Sequence, residues 1–395
     1  MSSSLKNVTI GTVLPCKFQN NNYYDCEILE IRTNDKNQLE YYVHFTEFNK
    51  RLDGWVLGSR LKTDQIKSNK NIHTITPKRL TRTRTMEGRK SNQKGRVVSI
   101  SQFEKDQQEK ENKLRELMKV RNIDTVWFGK CVLEPWYYSP YPTHIIRYRK
   151  IYICEFCFNY FDSERSFFRH MIRCNVRHPP GIEIYQEDNL SIFEVDGENS
   201  KEYCQNLFLL SKLFLDHKSL TLNTELFLFY ILCENDNFGC HIAGYFSKEK
   251  HPTEKFNLAC ILVLPQFQRK GYGKLLISLS YELSKIEKKI GSPEKPLSDL
   301  GLITYRNYWS IILVNILKDY IGQSMSLKEL SKITYFIPEE IQSTLQWLDL
   351  IYFSKPNYFL NLENSQIIKK YTKKFKNTKF INSKLLKWVP YDKYL

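Results

Sequence analysis

The sequence predicts an α+β protein preceded by a small all-β domain, and three observations lead to that prediction. Hydrophobic residues make up 42% of the 395 residues and aromatic residues 14%, which is enough to form packed cores. Short runs of alternating apolar and polar residues fill positions 7–63, as they do in β domains. From residue 121 onward, strand and helix patterns are mixed. At roughly 100 to 200 residues per domain, this length allows two or three domains.

The first predicted domain, residues 7–63, has the pattern of a small barrel-like β domain. Its candidate strands are short, and turns rich in Asn, a residue that favours turns, separate them. The candidate strands are Thr9–Leu14, Asp25–Ile31 and Glu40–Phe45.

A basic linker, residues 64–120, is predicted to follow. In the stretch from Lys67 to Arg96, ten residues are Lys or Arg, and Glu87 is the only acidic residue. The formal net charge of the chain is +16, and this cluster favours contact with nucleic-acid phosphates or an anionic partner. A solvated tether and a nuclear-import signal are alternative interpretations. The charged stretch Phe103–Val120 is predicted to be a short helix.

Cys154, Cys157, His170 and Cys174 have the spacing of a zinc site. The Cys-x-x-Cys pair forms a knuckle, and a helix is expected to present His170 and Cys174, four positions apart, on one face. Four protein ligands leave no open coordination position, so the predicted zinc ion is structural. Unrelated buried cysteines and a finger that reads nucleic acid are the alternatives. Because the first twenty residues lack a secretory signal pattern, we expect the ten cysteines to be reduced thiols or metal ligands.

The next informative stretch has the pattern strand, glycine-containing turn, helix. The apolar run Leu258–Leu264 predicts a buried strand, and Gln268–Lys274 reads QRKGYGK before a helix with leucines at helical spacing. Glycines let the backbone approach a ligand, and the N-terminal end of a helix favours a diphosphate. A Gly-x-Gly turn is a weak signal by itself. Without an acidic residue about twenty positions later, it departs from the dinucleotide-binding pattern.

With its surroundings, this stretch resembles the acetyl-coenzyme A (acetyl-CoA) loop of GNAT-like acetyltransferases and, more closely, the MYST family of histone acetyltransferases. The resemblance rests on NLACILVLPQFQRKGYGKLLI and on GSPEKPLSDLG at residues 291–301. EPWYYSPYP, IYICEFC, FLDHK, GYFSKEK and TLQWLDLI occur in the family's order. Residues 41–55, YYVHFTEFNKRLDGW, resemble the chromo-barrel (tudor-knot) domain of one branch.

The resemblance implies that residues 121–395 form the acetyltransferase domain. It divides this domain into a zinc finger at 151–178, a GNAT-like acetyl-CoA core at 200–305 and a C-terminal helical, winged-helix-like segment at 306–390.

Glu294 and Cys260 match the catalytic positions of the family. A substrate lysine has an unperturbed pKa of about 10.4, so its ammonium needs a base before it attacks a thioester, and Glu294 is the implied general base. Cys260 is either a nucleophile that forms an acetyl-enzyme or a pocket residue beside a ternary complex that reacts directly. Lys218, in FLDHK, matches the lysine that MYST enzymes acetylate on themselves; without that match, a surface lysine beside His217 would carry no functional meaning.

Acetyl-CoA is the implied co-substrate. By resemblance it lies along the backbone of Ile261 to Val263 and over the glycine-containing loop, with Ser298 near its pantetheine or phosphate end. Val263 stands where the family usually has threonine, so only backbone contact is expected there. The implied coenzyme-binding residues are Ile261, Val263, Gln268, Arg269, Lys270, Gly271, Tyr272, Gly273, Lys274 and Ser298.

Four aromatic residues of the first domain, Tyr42, Phe45, Phe48 and Trp55, allow more than one interpretation. They form part of a cage for a methylated lysine, a surface for RNA, or the barrel core. Phe45 falls where the family commonly has tyrosine, and Gly54 replaces the usual acidic residue before the tryptophan, which disfavours the cage. We favour a role in attachment to nucleosomes or RNA.

Near the C-terminal end, Ser326–Glu329 reads as a capping box and Pro338 as a second helix start. With the strand-like run Tyr352–Leu360, these helices resemble a winged helix-turn-helix. Their apolar spacing favours packing against the catalytic core over DNA reading. Lys369–Lys379 adds a basic patch.

Together these features predict a nuclear histone acetyltransferase that uses acetyl-CoA and a structural Zn²⁺ ion. Its expected partners are histone tails, nucleosomes and the subunits of a multi-protein complex. No apolar run approaches the roughly 20 residues of a membrane helix, so we expect no membrane association. A catalytically inactive chromatin-binding adaptor of the same fold and a zinc-finger nucleic-acid binder are the alternatives.

Overall fold

The computed structural model describes residues 8–66, 118–216, 218, 223–252, 254–320, 325–354, 357–360 and 365–391. Most of the predicted basic linker, and all but the last three residues of the predicted helix at 103–120, lie outside these ranges. The described residues form two compact units that divide at residue 122, except that residues 136–138 belong with the first unit. The first unit has a β-sheet core and the second combines sheets with helices, which confirms the predicted α+β class.

The first unit is a four-stranded antiparallel meander in the order β1-β2-β3-β4. Its strands are β1 (Val13–Lys17), β2 (Tyr23–Thr33), β3 (Leu39–Phe45) and β4 (Gly54–Leu57). After β4, Leu61 pairs with Cys16 of β1, and the Lys62 N–H donates to the Pro15 carbonyl at 2.9 Å. This pairing closes the sheet into the predicted small barrel. The first strand begins later than predicted because the Thr12 N–H donates to the Thr9 carbonyl and forms a turn.

The second unit begins with a small sheet in the order β6-β5-β7-β8, followed by a helix. Its elements are β5 (Thr125–Phe128), β6 (Cys131–Leu133), β7 (Lys150–Ile153), β8 (Tyr160–Phe161) and α1 (Glu164–Arg173). The Ser163 hydroxyl accepts a hydrogen bond from the Ser166 N–H and thereby caps the N-terminal end of α1.

A five-stranded antiparallel sheet, in the order β14-β12-β11-β10-β9, forms the centre of the second unit. Its strands are β9 (Ile182–Glu187), β10 (Leu190–Asp196), β11 (Phe227–Asp236), β12 (Gly239–Glu249) and β14 (Cys260–Val263). Two helices accompany it, α2 (Lys201–Lys212) and α3 (Tyr272–Glu287). The leucines of α3, among them Leu276 and Leu279, share one buried apolar cluster with sheet residues such as Tyr230 and Phe246.

The apolar run Leu258–Leu264 is two strands, and the prediction of a single strand is wrong. β13 (Phe256–Leu258) pairs in parallel with β15 (Ser292–Pro293), whereas β14 pairs with β12. The chain changes partner at Ala259, whose N–H donates to the Ser247 carbonyl at 2.8 Å. The two strands diverge because each pairs with a different part of the chain.

The C-terminal segment packs around one long helix, α4 (Asp299–Leu317). The other elements are α5 (Leu327–Thr334), α6 (Pro338–Trp347), β16 (Ile351–Ser354), β17 (Asn357–Leu360) and α7 (Ser365–Lys376). The capping box of Ser326 and Glu329 and the helix start at Pro338 are confirmed. The strand-like run Tyr352–Leu360 lies in an antiparallel hairpin formed by β16 and β17. Buried Leu330 of α5 and Ile341 of α6 join the cluster around Trp309 of α4, in agreement with the packing role.

Candidate active site and metal centre

Cys154, Cys157, His170 and Cys174 meet in a site that fits zinc. Their ligand atoms all lie within 4.8 Å of one another. The Sγ atoms of Cys154 and Cys174 are 4.0 Å apart, and Cys157 Sγ is 3.2 Å from His170 Nε2. Around a tetrahedral zinc ion with Zn–S distances near 2.3 Å, two sulfurs are roughly 3.8 Å apart, so the spacing and the donor set both fit.

Local structure positions the four ligands. Cys154 directly follows β7, and His170 lies on α1. Cys174 is the residue after α1, with φ −70° and ψ 118°, so the prediction that the helix itself presents it is wrong by one residue. Hydrogen bonding to Cys157 lowers the pKa of the Cys154 thiol to about 5, which favours the thiolate that zinc binds.

The predicted phosphate loop connects the end of β14 to the start of α3. Gly271 is the N-cap of α3 and has φ +93°, in the left-handed region that glycine adopts without strain. No side chain caps this helix end. The first N–H groups of α3 and the positive end of its dipole therefore favour an anion at this loop.

Three side-chain hydrogen bonds fix the loop to the sheet. Gln268 Nε2 donates to the Val263 carbonyl at 3.2 Å, and Lys270 Nζ pairs with Glu234 Oε1 at 2.8 Å. The Tyr272 hydroxyl also donates to Glu234 Oε1. The sequence did not point to Glu234, because its role depends on the approach of β11 to the loop.

Lysines of α7 lie beside the loop. Lys374 Nζ donates to Asn307 Oδ1 at 3.3 Å, and Lys274 Nζ donates to Thr378 Oγ1 at 3.4 Å. Burial lowers the pKa of Lys374, and the neighbouring cations Lys370 and Lys274 lower it further. Part of the predicted C-terminal basic patch therefore extends the positive charge of the phosphate loop.

A cavity of about 450 Å³ lies between β14 and the segment after β15. It brings together Cys260, Ile261, Glu294, Ser298 and Lys218, all of which the sequence singled out. Val263 and the loop residues 268–274 do not line this cavity; they lie further along the chain, from the end of β14 to the start of α3.

Glu294 enters this cavity because of the break in the apolar run. Its N–H donates to the Leu258 carbonyl, the last residue of β13, at 2.8 Å. Partial burial raises the pKa of the Glu294 carboxyl, the charge of Glu249 raises it further, and Lys218 acts in the opposite direction. A carboxylate with a raised pKa is a stronger base. The sequence did not point to Glu249, which is the last residue of β12 and lines the same cavity.

Lys218 is partly buried and lines the cavity. Its Nζ donates to Cys260 Sγ at 3.5 Å and lies 4.4 Å from the centre of the Phe208 ring. Burial alone would lower the pKa of Lys218, but the neighbouring Tyr245 and Cys260 raise it above its usual value. The side chain is therefore a cation at neutral pH.

The remaining predicted residue, Ser298, lies at the edge of the cavity. It is the N-cap of α4, and its hydroxyl accepts a hydrogen bond from the Gly301 N–H at 3.1 Å. The hydroxyl hydrogen can still be donated to a bound molecule.

The four aromatic residues of the barrel do not form a cage together. Phe45 is buried in the apolar cluster of the barrel, which supports its interpretation as a core residue, and Tyr42 is buried edge-on against Trp55. The Arg32 guanidinium lies 4.0 Å from the centre of the Trp55 ring, so a cation of the protein itself occupies that position. Phe48 stacks on Phe18 with ring centres 5.2 Å apart, too close for a methylammonium group between them.

Within the described residues, no helix is both long enough and apolar enough to cross a membrane.

Three family models match the chain. They are the MOZ/SAS family over residues 178–386, the MYST family zinc finger domain over residues 120–174, and the tudor-knot, described as the RNA binding activity-knot of a chromodomain, over residues 8–63.

Curated relatives cover most of the chain. "Histone acetyltransferase of the MYST family 1" and "2" from Arabidopsis thaliana are 46% and 43% identical to it. They align with 89% and 97% of this chain and with 78% and 85% of their own lengths. "Histone acetyltransferase Tip60 homolog" from Caenorhabditis elegans is 40% identical over 89% of this chain and 84% of its own length. The MOZ/SAS match spans more than half of the chain, so this protein belongs to the MYST family of histone acetyltransferases.

Proposed function

We propose that the chain is a histone acetyltransferase that moves the acetyl group of acetyl-CoA to lysine side chains in N-terminal histone tails. The observation that carries this proposal is that Glu294 and Cys260 line one cavity, with Cys260 on β14, the strand that leads to the phosphate loop. The experiment that tests it is transfer of radiolabelled acetyl from acetyl-CoA to core histones and to nucleosomes by the purified chain.

Glu294 is the general base in this proposal. Bound acetyl-CoA supplies a thioester carbonyl, which is an electrophile. Glu294 accepts a proton from the substrate ammonium, and the freed amine attacks that carbonyl. The N–C bond of acetyl-lysine forms as the C–S bond breaks, and the departing coenzyme A thiolate takes up the second proton that the nitrogen loses. We assign Cys260 to the wall of the pocket, with direct transfer in a ternary complex and no acetyl-enzyme.

The coenzyme is held by β14, the loop and the start of α3. Ile261 and Val263 contribute backbone groups. Gln268, Arg269, Lys270, Gly271, Tyr272, Gly273 and Lys274 surround the diphosphate, and Ser298 binds near the pantetheine. Lys370 and Lys374 add positive charge for the coenzyme's phosphates, since they lie with Lys274 beside the helix end that favours anions.

The chain is organised as a chromo barrel at 7–63, a basic linker at 64–120 and the acetyltransferase domain at 121–395. Within that domain, the zinc finger spans 151–178, the acetyl-CoA core 200–305 and the C-terminal segment 306–390. The zinc ion is structural and is held by Cys154, Cys157, His170 and Cys174. These residues offer four ligands, so no position is left for substrate.

Lys218 is a site of autoacetylation in this proposal. Its Nζ lies 3.5 Å from Cys260 Sγ, in the same cavity as Glu294, so an acetyl donor in that cavity is within its reach.

The enzyme acts in the nucleus, where its substrates are nucleosomes. It works within a multi-protein complex, and its basic linker contributes contacts to nucleic acid. The alternative of an inactive adaptor has no support, because the cavity keeps both its base and its cysteine.

Replacing Gly271 with alanine is expected to raise the KM for acetyl-CoA about 5- to 30-fold. A residue with a Cβ at φ +93° costs about 1–2 kcal/mol, and the strain falls on the loop that holds the diphosphate. Gly11→Ala is the matched control, because Gly11 has φ +86° and equally open surroundings in the barrel. It should lower stability and leave this KM unchanged. Equal KM values for all three proteins would exclude the loop as the diphosphate site.

The pH dependence of kcat/KM should report the raised pKa of Glu294. Activity falls as the pH drops through this pKa, since the protonated carboxyl cannot act as a base. Glu249→Gln removes a charge that raises this pKa, so the acidic limb should move to lower pH. Rates measured from pH 5 to 9 for both proteins test this, and coincident acidic limbs would exclude the coupling.

A further inference from the structure

A buried carboxylate lies on the helix next to the segment that carries Glu294. Glu340 is in the first turn of α6 and is only 6% exposed. It does not line the cavity that contains Glu294 and Cys260, and acetyl transfer makes no direct use of it. Burying a carboxylate is costly unless the group is paired and hydrogen-bonded, so the partners of Glu340 determine what it does.

Both partners of Glu340 flank Glu294 in the sequence. Glu340 Oε1 pairs with Lys295 Nζ at 2.7 Å, and Ser292 Oγ lies 3.4 Å from the same oxygen. Lys295 directly follows Glu294, and Ser292 lies two residues before it. The positive end of the α6 dipole adds to the ammonium in stabilising the charge of the carboxylate. Glu340 therefore holds the side chain that is next to the general base in the chain.

Backbone and core contacts fix Glu340 at this place. The Gly291 N–H donates to the Tyr335 carbonyl at 3.1 Å, in the turn between α5 and α6. Ile341, the residue after Glu340, is fully buried in the apolar cluster of the C-terminal segment. Because these contacts do not involve the carboxylate, replacing Glu340 with the nearly isosteric glutamine should leave α6 in place.

Lys295 is within reach of Glu294 if it is released. It lines the same cavity as Glu294, and its side chain is 56% exposed. In the described part of the chain, its ammonium has no ion pair other than the one with Glu340, and the Glu294 carboxylate has none. A cation within about 4–6 Å of a carboxylate favours the charged form and makes it a weaker base. A released Lys295 would therefore weaken the base.

We propose that Glu340 is a positioning residue that holds the Lys295 ammonium away from the Glu294 carboxylate, so that the base stays available to the substrate lysine. This inference rests on the proposed function, in which Glu294 accepts the substrate proton. Burial and Glu249 raise the pKa of Glu294 and Lys218 opposes them, whereas Lys295 is not among these influences. The titratable side chains that line the cavity with Glu294 are Asp216, Lys218, Glu249, Cys260 and Lys295.

The pH dependence of kcat/KM in three variants tests this role. In Glu340→Gln the acidic limb should move about 1 pH unit lower than in the wild type, because the released ammonium pairs with Glu294. Glu340→Asp keeps the charge but is one methylene shorter, so it should give a smaller shift in the same direction. In the double variant Glu340→Gln, Lys295→Gln the limb should return to the wild-type position. Loss of a merely structural contact would not be reversed by removing the second partner.

Glu339→Gln is the matched control, because Glu339 is an exposed acid of α6 that does not line the cavity. Its acidic limb should coincide with that of the wild type. An NMR titration of the Glu294 carboxyl carbon, identified by its absence in Glu294→Gln, repeats the comparison without turnover. A shift that the double variant reverses in this titration supports the positioning role even if no acetyl is transferred, in which case the proposed function alone fails. Coincident titrations of wild type and Glu340→Gln, or a shift that persists in the double variant, overturn the inference.

Discussion

Replacing Glu294 with glutamine is expected to lower kcat for acetyl transfer by about 10²- to 10⁴-fold at pH 7 to 8. Glutamine has nearly the same shape but cannot accept the proton of the substrate ammonium. The backbone should stay in place, because the N–H of residue 294 still donates to the Leu258 carbonyl. Initial rates of radiolabelled acetyl transfer to core histones and nucleosomes measure this effect.

Two companion variants make the result specific. Cys260→Ala should keep most of the activity if the amine attacks acetyl-CoA directly, whereas loss as severe as that of Glu294→Gln would revive the acetyl-enzyme route. Glu339→Gln should be unaffected, since its side chain lies outside the cavity. Coenzyme A affinity, measured by calorimetry, should be similar in all four proteins. Full turnover by Glu294→Gln would contradict the assignment of this residue as the base.

Removing one zinc ligand is expected to unfold the zinc module, which consists of the small sheet β5–β8 and the helix α1. Structural zinc sites contribute about 10–16 kcal/mol of apparent binding free energy, which is comparable with the whole stability of a typical domain. Cys157→Ala should therefore lose the bound zinc and lower the Tm of the chain by about 10 °C or more. Zinc content by mass spectrometry and thermal unfolding by calorimetry measure the two effects.

Cys131→Ala is the control for the zinc experiment. Cys131 lies on β6 of the same module, is partly exposed and is not one of the four ligands. This variant should keep one zinc ion per chain and nearly the same Tm. A Cys157→Ala protein with full zinc content and an unchanged Tm would show that the four residues do not form the site.

The features that the sequence predicted correctly depend on residues close together in the chain. The capping box of Ser326 and Glu329 lies within four residues, and the turn at Gly271 requires a conformation that glycine adopts without strain. The zinc ligands fall within 21 residues, and their spacing fits one knuckle and one helix. Family resemblance added the identity of Glu294 and Cys260, which no local pattern would have distinguished from a turn residue and a strand residue.

The features that the sequence missed depend on contacts between distant segments. The split of Leu258–Leu264 arises because β13 pairs with residues 292–293 while β14 pairs with β12. Lys218 contacts Cys260, 42 residues away, and no local pattern indicates that contact. Tyr42 and Phe45 had the composition of a ligand cage, but both are buried, and Phe45 belongs to the apolar cluster of the barrel.

By itself, the sequence determined the fold class, the family and the Cys and His residues of the zinc site, and it predicted the residues of the active site, because spacing and motif survive without coordinates. Only the tertiary structure decided that Glu294 and Cys260 line one cavity and that Glu249 raises the pKa of Glu294. The physical reason is that electrostatic coupling and cavity shape depend on distance in space. Pairing between strands far apart in the chain sets that distance.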